Sequence, residues 1–279
     1  MKFAVTIVSP PGYIHSAAFS EVAETIHYGL LSLGHDSVLT TQGALPGRLH
    51  IVLGSNLLPD YPLPLAHDAI LYNLEQVGTD SIWLHPKLIE IFRRHVLWDY
   101  SNANAAALTT LGIRVAHVVP IGYVKELTRI RFAPERDLDI LFFGSMNPRR
   151  KKIIDRMSAA GLRVHAVFGI YGEARDALIG RAKLLLNMHF YDAKVLEMVR
   201  ISYLLANRCA VLSEHSSDPL EDNIFAEGVA FAGYEHLVQR ACELIDAPDE
   251  CERLARRGFE IMSARPAADY LRDALTQNG

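Results

Sequence analysis

Apolar residues along the chain fall into short runs separated by longer amphipathic stretches, and glycine or proline marks most changes between the two. The run Phe3 to Val8 predicts a buried strand. After the loop Ser9 to His15, a helix is expected from Ser16 or Ser20 through Leu33. Gly34 ends it, and Asp36 to Thr40 follows as a strand. The same grammar returns in the second half. Ile140 to Phe143 is a compact apolar run, Gly144 to Pro148 a loop, Arg149 to Ala160 a helix closed by Gly161, and Arg163 to Phe168 a strand. Two such units predict two α/β domains of similar construction with parallel sheets, since strands buried on both faces read as continuous apolar runs.

Between these units, strands are expected at Leu49–Leu53, Ala69–Leu74, His95–Trp98 and Arg114–Val118, and helices at Pro86–Arg93 and Ser101–Leu111. The charged, weakly periodic stretch 123–138 places a domain junction after residue 122. The second domain, 123–262, continues with helix Tyr171–Arg181, strand Leu184–Met188, helix Ala193–Ala206, strand Cys209–Ser213 and helices Tyr234–Asp246 and Pro248–Met262. The segment 263–279, helical from Ala267 to Leu275, is expected to pack back across the junction.

Composition narrows the function classes. Half of the 279 residues are apolar and the net charge is −4, which disfavours a broad nucleic-acid footprint; no nucleic-acid partner is expected. Three cysteines, Cys209, Cys242 and Cys251, fit neither a disulfide framework nor a zinc site by spacing, so no metal is expected. No stretch approaches the ~20 apolar residues of a membrane span, and the apolar N-terminal run, broken by Thr6, is short for a signal peptide. A cytoplasmic protein without a transmembrane segment is the expectation.

Candidate chemistry gathers where predicted strands end. Gly144 and Ser145 lie between a strand and a helix whose first turn carries Arg149, Arg150 and Lys151. Backbone N–H groups at the positive end of a helix dipole, with added cations, suit a diphosphate. Basic residues there otherwise oppose the dipole, and the competing reading is a solvated face with pairing to Asp155. Farther on, His189 stands at a strand end and Lys194, Glu197 and Arg200 recur at helical spacing. Glu197 would accept hydrogen bonds from ribose hydroxyls, with Lys194 and Arg200 on phosphate; a plain salt-bridge ladder is the alternative. Tyr171 opens another helix after a strand and Glu214 ends a later strand; both are candidates to contact a nucleotide or sugar, with structural N-capping the competing role at Tyr171. In the first domain, His15, Glu75 and Asp99 follow predicted strands and are the candidates for general base work, against purely structural roles such as helix capping at Asp99. Asp137-Leu138-Asp139 spells a metal-binding string but precedes its strand, the wrong end for a ligand. No Gly-x-Gly-x-x-Gly follows the first strand, against a dinucleotide oxidoreductase.

The order of elements, the Phe-Phe-Gly loop leading into Arg149-Arg150-Lys151, and the Glu197 segment followed by Leu-Leu-Ala-Asn-Arg-Cys-Ala-Val-Leu-Ser-Glu resemble a GT-B glycosyltransferase of the polysaccharide-building group. The resemblance is good in the second half and only in outline in the first. It implies two Rossmann-like domains facing each other across a cleft, the second holding a nucleotide-sugar donor as substrate, with no cofactor, and the first an unknown hydroxyl acceptor. It also implies donor diphosphate contacts from Arg149, Arg150 and Lys151 and a ribose or sugar contact from Glu197. The family's pair of glutamates eight positions apart is absent: eight residues before Glu197 stands His189, and eight after it Leu205. A metal-independent glycosyltransferase is therefore the expected function. The alternatives are a non-catalytic nucleotide-sugar-binding module of the same fold and a GT-B-like sugar epimerase or phosphorylase.

Overall fold

The structure is a computed structural model that describes residues 1–276. The chain divides into two compact units, Met1–Val124 with the described part of Arg265–Gly279, and Lys125–Ala264. Each is an α/β unit built on one parallel sheet.

In the first unit the elements run β1 (Lys2–Ile7), a 3-10 turn at Ile14–Phe19, α1 (Ser20–Ser32), β2 (Asp36–Thr40) and β3 (Leu49–Leu53). They continue with β4 (Ile70–Asn73), α2 (Pro86–Arg94), β5 (Val96–Asp99), α3 (Asn102–Thr110) and β6 (His117–Val118). The sheet order is β2-β1-β3-β4-β5-β6, and every pairing is parallel, with Val5 opposite both Leu39 and Ile51. Central strands are largely apolar because both faces are covered: Phe3, Ala4, Val5, Ile51, Val52 and Leu53 are all fully buried, and the buried Thr6 and His50 among them satisfy each other at 2.8 Å.

The second unit holds β7 (Leu138–Phe143), α4 (Pro148–Ala159), β8 (Val164–Val167), α5 (Gly172–Arg181), β9 (Ala182–Asn187) and α6 (Met198–Ala206). After these come β10 (Val211–Glu214), α7 (Pro219–Phe225), β11 (Ala230–Ala232), α8 (Leu237–Asp246) and α9 (Pro248–Ser263). Its sheet order is β11-β10-β9-β7-β8, again parallel, with Leu141 opposite Leu185 and Leu185 opposite Val211. Ile140, Phe142, Leu184, Leu186 and Leu212 form its core with Met157 of α4 and Leu244 of α8.

The last helix, α10 (Ala267–Thr276), belongs to the first unit, where it packs on α1. Gly29 makes that approach possible: a Cβ there would lie 2.7 Å from Leu271 Cδ1 and 3.3 Å from Ala267 Cβ. The entry to α10 is pinned by backbone bonds from Tyr123 N to Arg265 O and from Ala267 N to Tyr123 O.

Two expectations are corrected. The helix expected from Ala193 begins only at Met198, because Lys194 adopts a left-handed backbone (φ 47°) that no α-helix continues. Lys194, Glu197 and Arg200 therefore do not share a helix face. Between Glu214 and Tyr234, where periodicity predicts no element, the chain forms α7 and β11. α7 starts where Asp218 accepts hydrogen bonds from Leu220 N and Glu221 N, and Pro219 occupies the first helical position, a local signal too short to show as periodicity. No helix among the described residues is long and apolar enough to cross a membrane.

Candidate functional site

In an open parallel sheet, ligands bind outside the carboxyl ends of the strands where the winding direction reverses, because neighbouring loops there turn opposite ways and leave a crevice. In the second unit the chain passes from β7 to β8 on one side and then to β9 on the other, so the crevice lies beyond β7 and β9. The loops at that point are 144–147 and 188–197; they carry Gly144, Ser145, His189, Lys194 and Glu197, and Arg149, Arg150 and Arg200 stand in the first turns of the helices that follow them.

Local structure sets the first loop. Asn147 caps α4, its Oδ1 accepting from Arg150 N at 2.8 Å, and Pro148 stands at the first helical position. Gly144 takes φ 147°, a region that disfavours side chains, and a Cβ there would come within 2.8 Å of an Arg200 guanidinium nitrogen. Glycine at 144 thus lets Arg200 reach the crevice floor. Ser145 is exposed, and its carbonyl accepts from Arg150 Nη1 at 2.8 Å.

Four cations converge here. Arg150 is buried (3% exposed), its Nη2 bonded to Met188 O and its guanidinium 5.2 Å from the Phe142 and Phe190 ring centres. Its Nε is buried without a hydrogen-bond partner among the described residues. Burial, and then the charge of Arg200, pull its pKa down to about 9. Arg200 Nη1 donates to Asn187 Oδ1 at 2.5 Å, and burial likewise lowers its pKa. Arg149 lies 4.0 Å above the Tyr234 ring, forks onto the Glu214 carboxylate, and donates to His189 O at 3.2 Å.

His189, 1% exposed, is the fourth. Its Nδ1 meets the Glu197 carboxylate at 3.1 Å and its Nε2 meets the His215 carbonyl at 3.0 Å. Both partners only accept, so the ring satisfies both bonds when it carries two protons. Burial opposes that charge, but Glu197 and Glu214 outweigh it and the pKa is raised.

Two carboxylates face these cations. Glu197, the N-cap residue of α6, receives Asn187 Nδ2 at 2.8 Å and stands 3.9 Å from Arg150 Nη2. Glu214, 2% exposed, receives Arg149, the backbone N–H of His189 at 3.3 Å and Lys194 Nζ at 3.5 Å. Burial pushes both pKa values up, but the His189 charge at Glu197 and the Arg149 hydrogen bonds at Glu214 more than offset it, and both are lowered. Three guanidinium groups, the His189 ring and Lys194 beside Glu214 outnumber these two carboxylates, an excess of positive charge where water is scarce. Such an excess is unfavourable by several kcal/mol per ion unless an anion enters.

Lys151 is exposed and pairs with Asp155 at 2.6 Å along α4. Tyr171 occupies the N-cap position of α5 without a side-chain capping bond. Asp137 pairs with Arg181, and Asp139 with Arg163 and Lys183, so both carboxylates of the metal-like string are engaged in ion pairs. Among the described residues no group of three or more His, Cys, Asp or Glu side chains is arranged to hold a metal ion. Asn187 and Tyr234 join the site without having been singled out. Asn187 opens the string that contains His189, but nothing local shows that Tyr234, from beyond β11, lies under Arg149.

In the first unit the same topology recurs: β1 leads to β2 on one side and the chain then crosses to β3, so the crevice lies beyond β1 and β3. His15 sits in the 3-10 turn after β1, its ring 5.2 Å from that of Tyr13. Asp99, at the end of β5, is fully buried and accepts from Asn73 Nδ2 (2.7 Å), Ser101 N (2.9 Å) and Asn104 Nδ2 (3.1 Å). Glu75, just past β4, is partly buried, and Asn56 Nδ2 approaches its carboxylate at 3.4 Å. Burial raises both pKa values to about 7, at Asp99 against the pull of its donors. Ser101, not Asp99, caps α3.

No family model matches the chain. An uncharacterized protein of Acanthamoeba polyphaga mimivirus is 34% identical over 125 residues, 44% of this chain and 14% of that one. A second from the same virus is 27% identical over 186 residues, 63% of this chain and 59% of that one. The chain thus spans less than two thirds of either relative. Among solved structures, Anabaena HepE in complex with UDP and glucose aligns with a TM-score of 0.64 over 99% of both chains at 11% identity. A sucrose-phosphate synthase from Thermosynechococcus elongatus aligns at 0.62 over 99% of both chains, also at 11% identity. AviGT4, a glycosyltransferase involved in avilamycin A biosynthesis, aligns at 0.57 and 16% identity over 99% of this chain and 96% of that one. The chain has a GT-B glycosyltransferase fold.

Proposed function

We propose that the protein transfers a glycosyl group from a nucleoside diphosphate sugar to an acceptor hydroxyl, with the donor diphosphate in the crevice beyond β7 and β9. The observation that carries this reading is the excess of buried positive charge formed by Arg149, Arg150, His189 and Arg200 over Glu197 and Glu214. The two negative charges of a nucleotide sugar's diphosphate would offset it. Arg150, with its Nε unmatched, supplies a donor for a phosphate oxygen. Glu197 then faces the ribose or the sugar. HepE, which shares the fold, has been crystallised with UDP and with UDP-glucose.

In this reading the cations act most strongly as charge moves onto the departing diphosphate, which is the condition for accelerating the reaction and not merely binding the donor. Guanidinium and imidazolium groups supply that stabilisation in a metal-independent transfer. Titration calorimetry of UDP and GDP against uridine and guanosine tests the assignment. Arg149→Ala is expected to weaken the preferred diphosphate roughly 10- to 100-fold, the range for charge-assisted hydrogen bonds, and the nucleoside less than about 3-fold. Equal losses for both ligands overturn the diphosphate site.

A further inference from the structure

Building on the transferase reading, we propose that the loop after β10 holds the donor's sugar and that His215, oriented by the buried Asp222, accepts a hydrogen bond from a sugar hydroxyl at Nε2. The sugar held in this way is neutral and not a uronic acid.

The imidazole of His215 is fixed at one nitrogen and open at the other. Its Nδ1 meets Asp222 Oδ2 at 2.9 Å, and its ring stacks on Phe231 with the centres 5.5 Å apart and the planes at 18°. Asp222 is 4% exposed and also accepts from Ser216 N, 3.1 and 3.3 Å from its two oxygens. Backbone bonds hold the residue in place: His215 N donates to Ala232 O at 3.1 Å, and His215 O accepts from His189 Nε2 at 3.0 Å. More than half of the side chain is exposed, and among the described residues Nε2 meets no hydrogen-bond partner. A carboxylate only accepts, so in the neutral ring Nδ1 carries the proton and Nε2 presents a lone pair. Satisfying Asp222 needs only donors, one of which Ser216 N already supplies; it does not need an imidazole whose second nitrogen faces outward.

Strand register places this ring at the crevice. Asn187, Ser213 and Phe231 stand side by side on β9, β10 and β11, with Asn187 Nδ2 donating to Ser213 Oγ at 3.0 Å. Stacking on Phe231 puts the His215 ring on their face of the sheet, where Asn187 also meets Glu197 and Arg200. The loop is sealed to the crevice wall by Ser217 N on Lys194 O at 2.9 Å and Ser217 Oγ on Ala193 O at 2.8 Å. β10 is the neighbour of β9, one strand spacing of about 5 Å away. A sugar joined to a diphosphate seated beyond β7 and β9 therefore reaches this loop.

The charge of the wall points to the class of sugar. Glu221, on α7 beside Asp222, has no hydrogen bond to its carboxylate among the described residues. Burial, and then the charges of Asp218, Asp222 and Glu197, raise its pKa to about 7. Lys194 turns its ammonium to Glu214, at 3.5 Å. His215 and Glu221 thus offer acceptors backed by carboxylates. Hydroxyl groups satisfy such acceptors, whereas a uronate adds a negative charge against them.

The test is titration calorimetry on the full chain. UDP and GDP come first: if neither binds, the donor reading fails and this proposal with it. The nucleotide that binds selects the probes, UDP-glucose with UDP-glucuronic acid or GDP-mannose with GDP-mannuronic acid. The neutral probe is expected to bind at least about 10-fold more tightly than the uronate, the scale of one mismatched charge. His215→Ala is expected to weaken the neutral probe about 3- to 10-fold, one hydrogen bond, and the nucleoside diphosphate less than about 2-fold. Asp222→Asn, its oxygen kept by Ser216 N, turns an amide N–H toward Nδ1 and moves the ring proton to Nε2, which then donates. In that variant the neutral probe should lose affinity and the uronate gain it, so that their ratio narrows while the nucleoside diphosphate binds as before. A loss of structure alone would lower all three affinities together. A parent that binds both probes equally, a His215→Ala protein within about 2-fold of the parent for the neutral probe, or a loss that falls equally on the nucleoside diphosphate would each overturn the assignment and leave the diphosphate site standing.

Discussion

The two units share one plan and carry opposite chemistry. Both wind a parallel sheet outward from a central pair of strands, and both gather polar side chains beyond the carboxyl ends of their strands. In the second unit those side chains are an over-charged cationic cluster whose carboxylates are held ionised. In the first they are amides, a tyrosine and two carboxyl groups that burial holds near neutrality. The topology fixes where a ligand goes; the residues in the loops decide whether it is an anion. A carboxylate buried among cations is a structural necessity, whereas one buried among neutral groups is a reservoir of proton affinity.

The same substitution in each unit gives the widest separation. Glu197→Gln leaves His189 and Arg150 short of a counter-charge and should destabilise by about 3–5 kcal/mol, a fall in Tm on the order of 10 °C in calorimetry. Inorganic pyrophosphate should restore part of that loss. Glu75→Gln removes a charge that folding disfavours, so its Tm should stay within about 2 °C of the parent or rise. Equal falls for the two variants would break the contrast.

A smaller effect comes from pH. The folded pKa of His189 is raised above its ordinary 6.5, so its contribution to stability is fully present below 6.5 and is lost as pH rises through the folded value. Glu197 and Glu214 are shifted the other way, below their ordinary 4.5. Their contribution is present above 4.5 and is lost as pH falls through the folded values. Diphosphate affinity should therefore weaken on the alkaline side, and His189→Gln should flatten that dependence in titrations from pH 6 upward. The smallest effect belongs to Lys151, exposed and paired with Asp155 one turn along. Lys151→Ala should change Tm by about 2 °C or less and leave UDP affinity nearly unaltered. A loss comparable with that of Arg149→Ala would move the anion site toward the solvent face of α4.

Most of the architecture was legible because its signals are local. Fully buried parallel strands such as β1, β3, β7 and β9 show as apolar runs, and Gly34 and Gly161 stop the helices before β2 and β8. The crevice loops were legible as places, since strand ends announce themselves. The backbone of 188–197 was not: Val195 and Leu196 extend the helical pattern of α6 backward, yet they are buried as loop residues and Lys194 turns left-handed. Periodicity registers burial, and it cannot distinguish burial on a helix from burial under neighbouring loops.

The sequence by itself determined two parallel α/β units, the loop that opens α4, and the residue types available for an anion and for proton transfer. The tertiary structure decided the partners. Arg149 is matched with Glu214 across 65 residues, Glu197 with His189 and Arg150, and Tyr234 is brought beneath Arg149. Charge balance in a crevice depends on distance and on exclusion of water, and both arise only when loops remote in the chain meet.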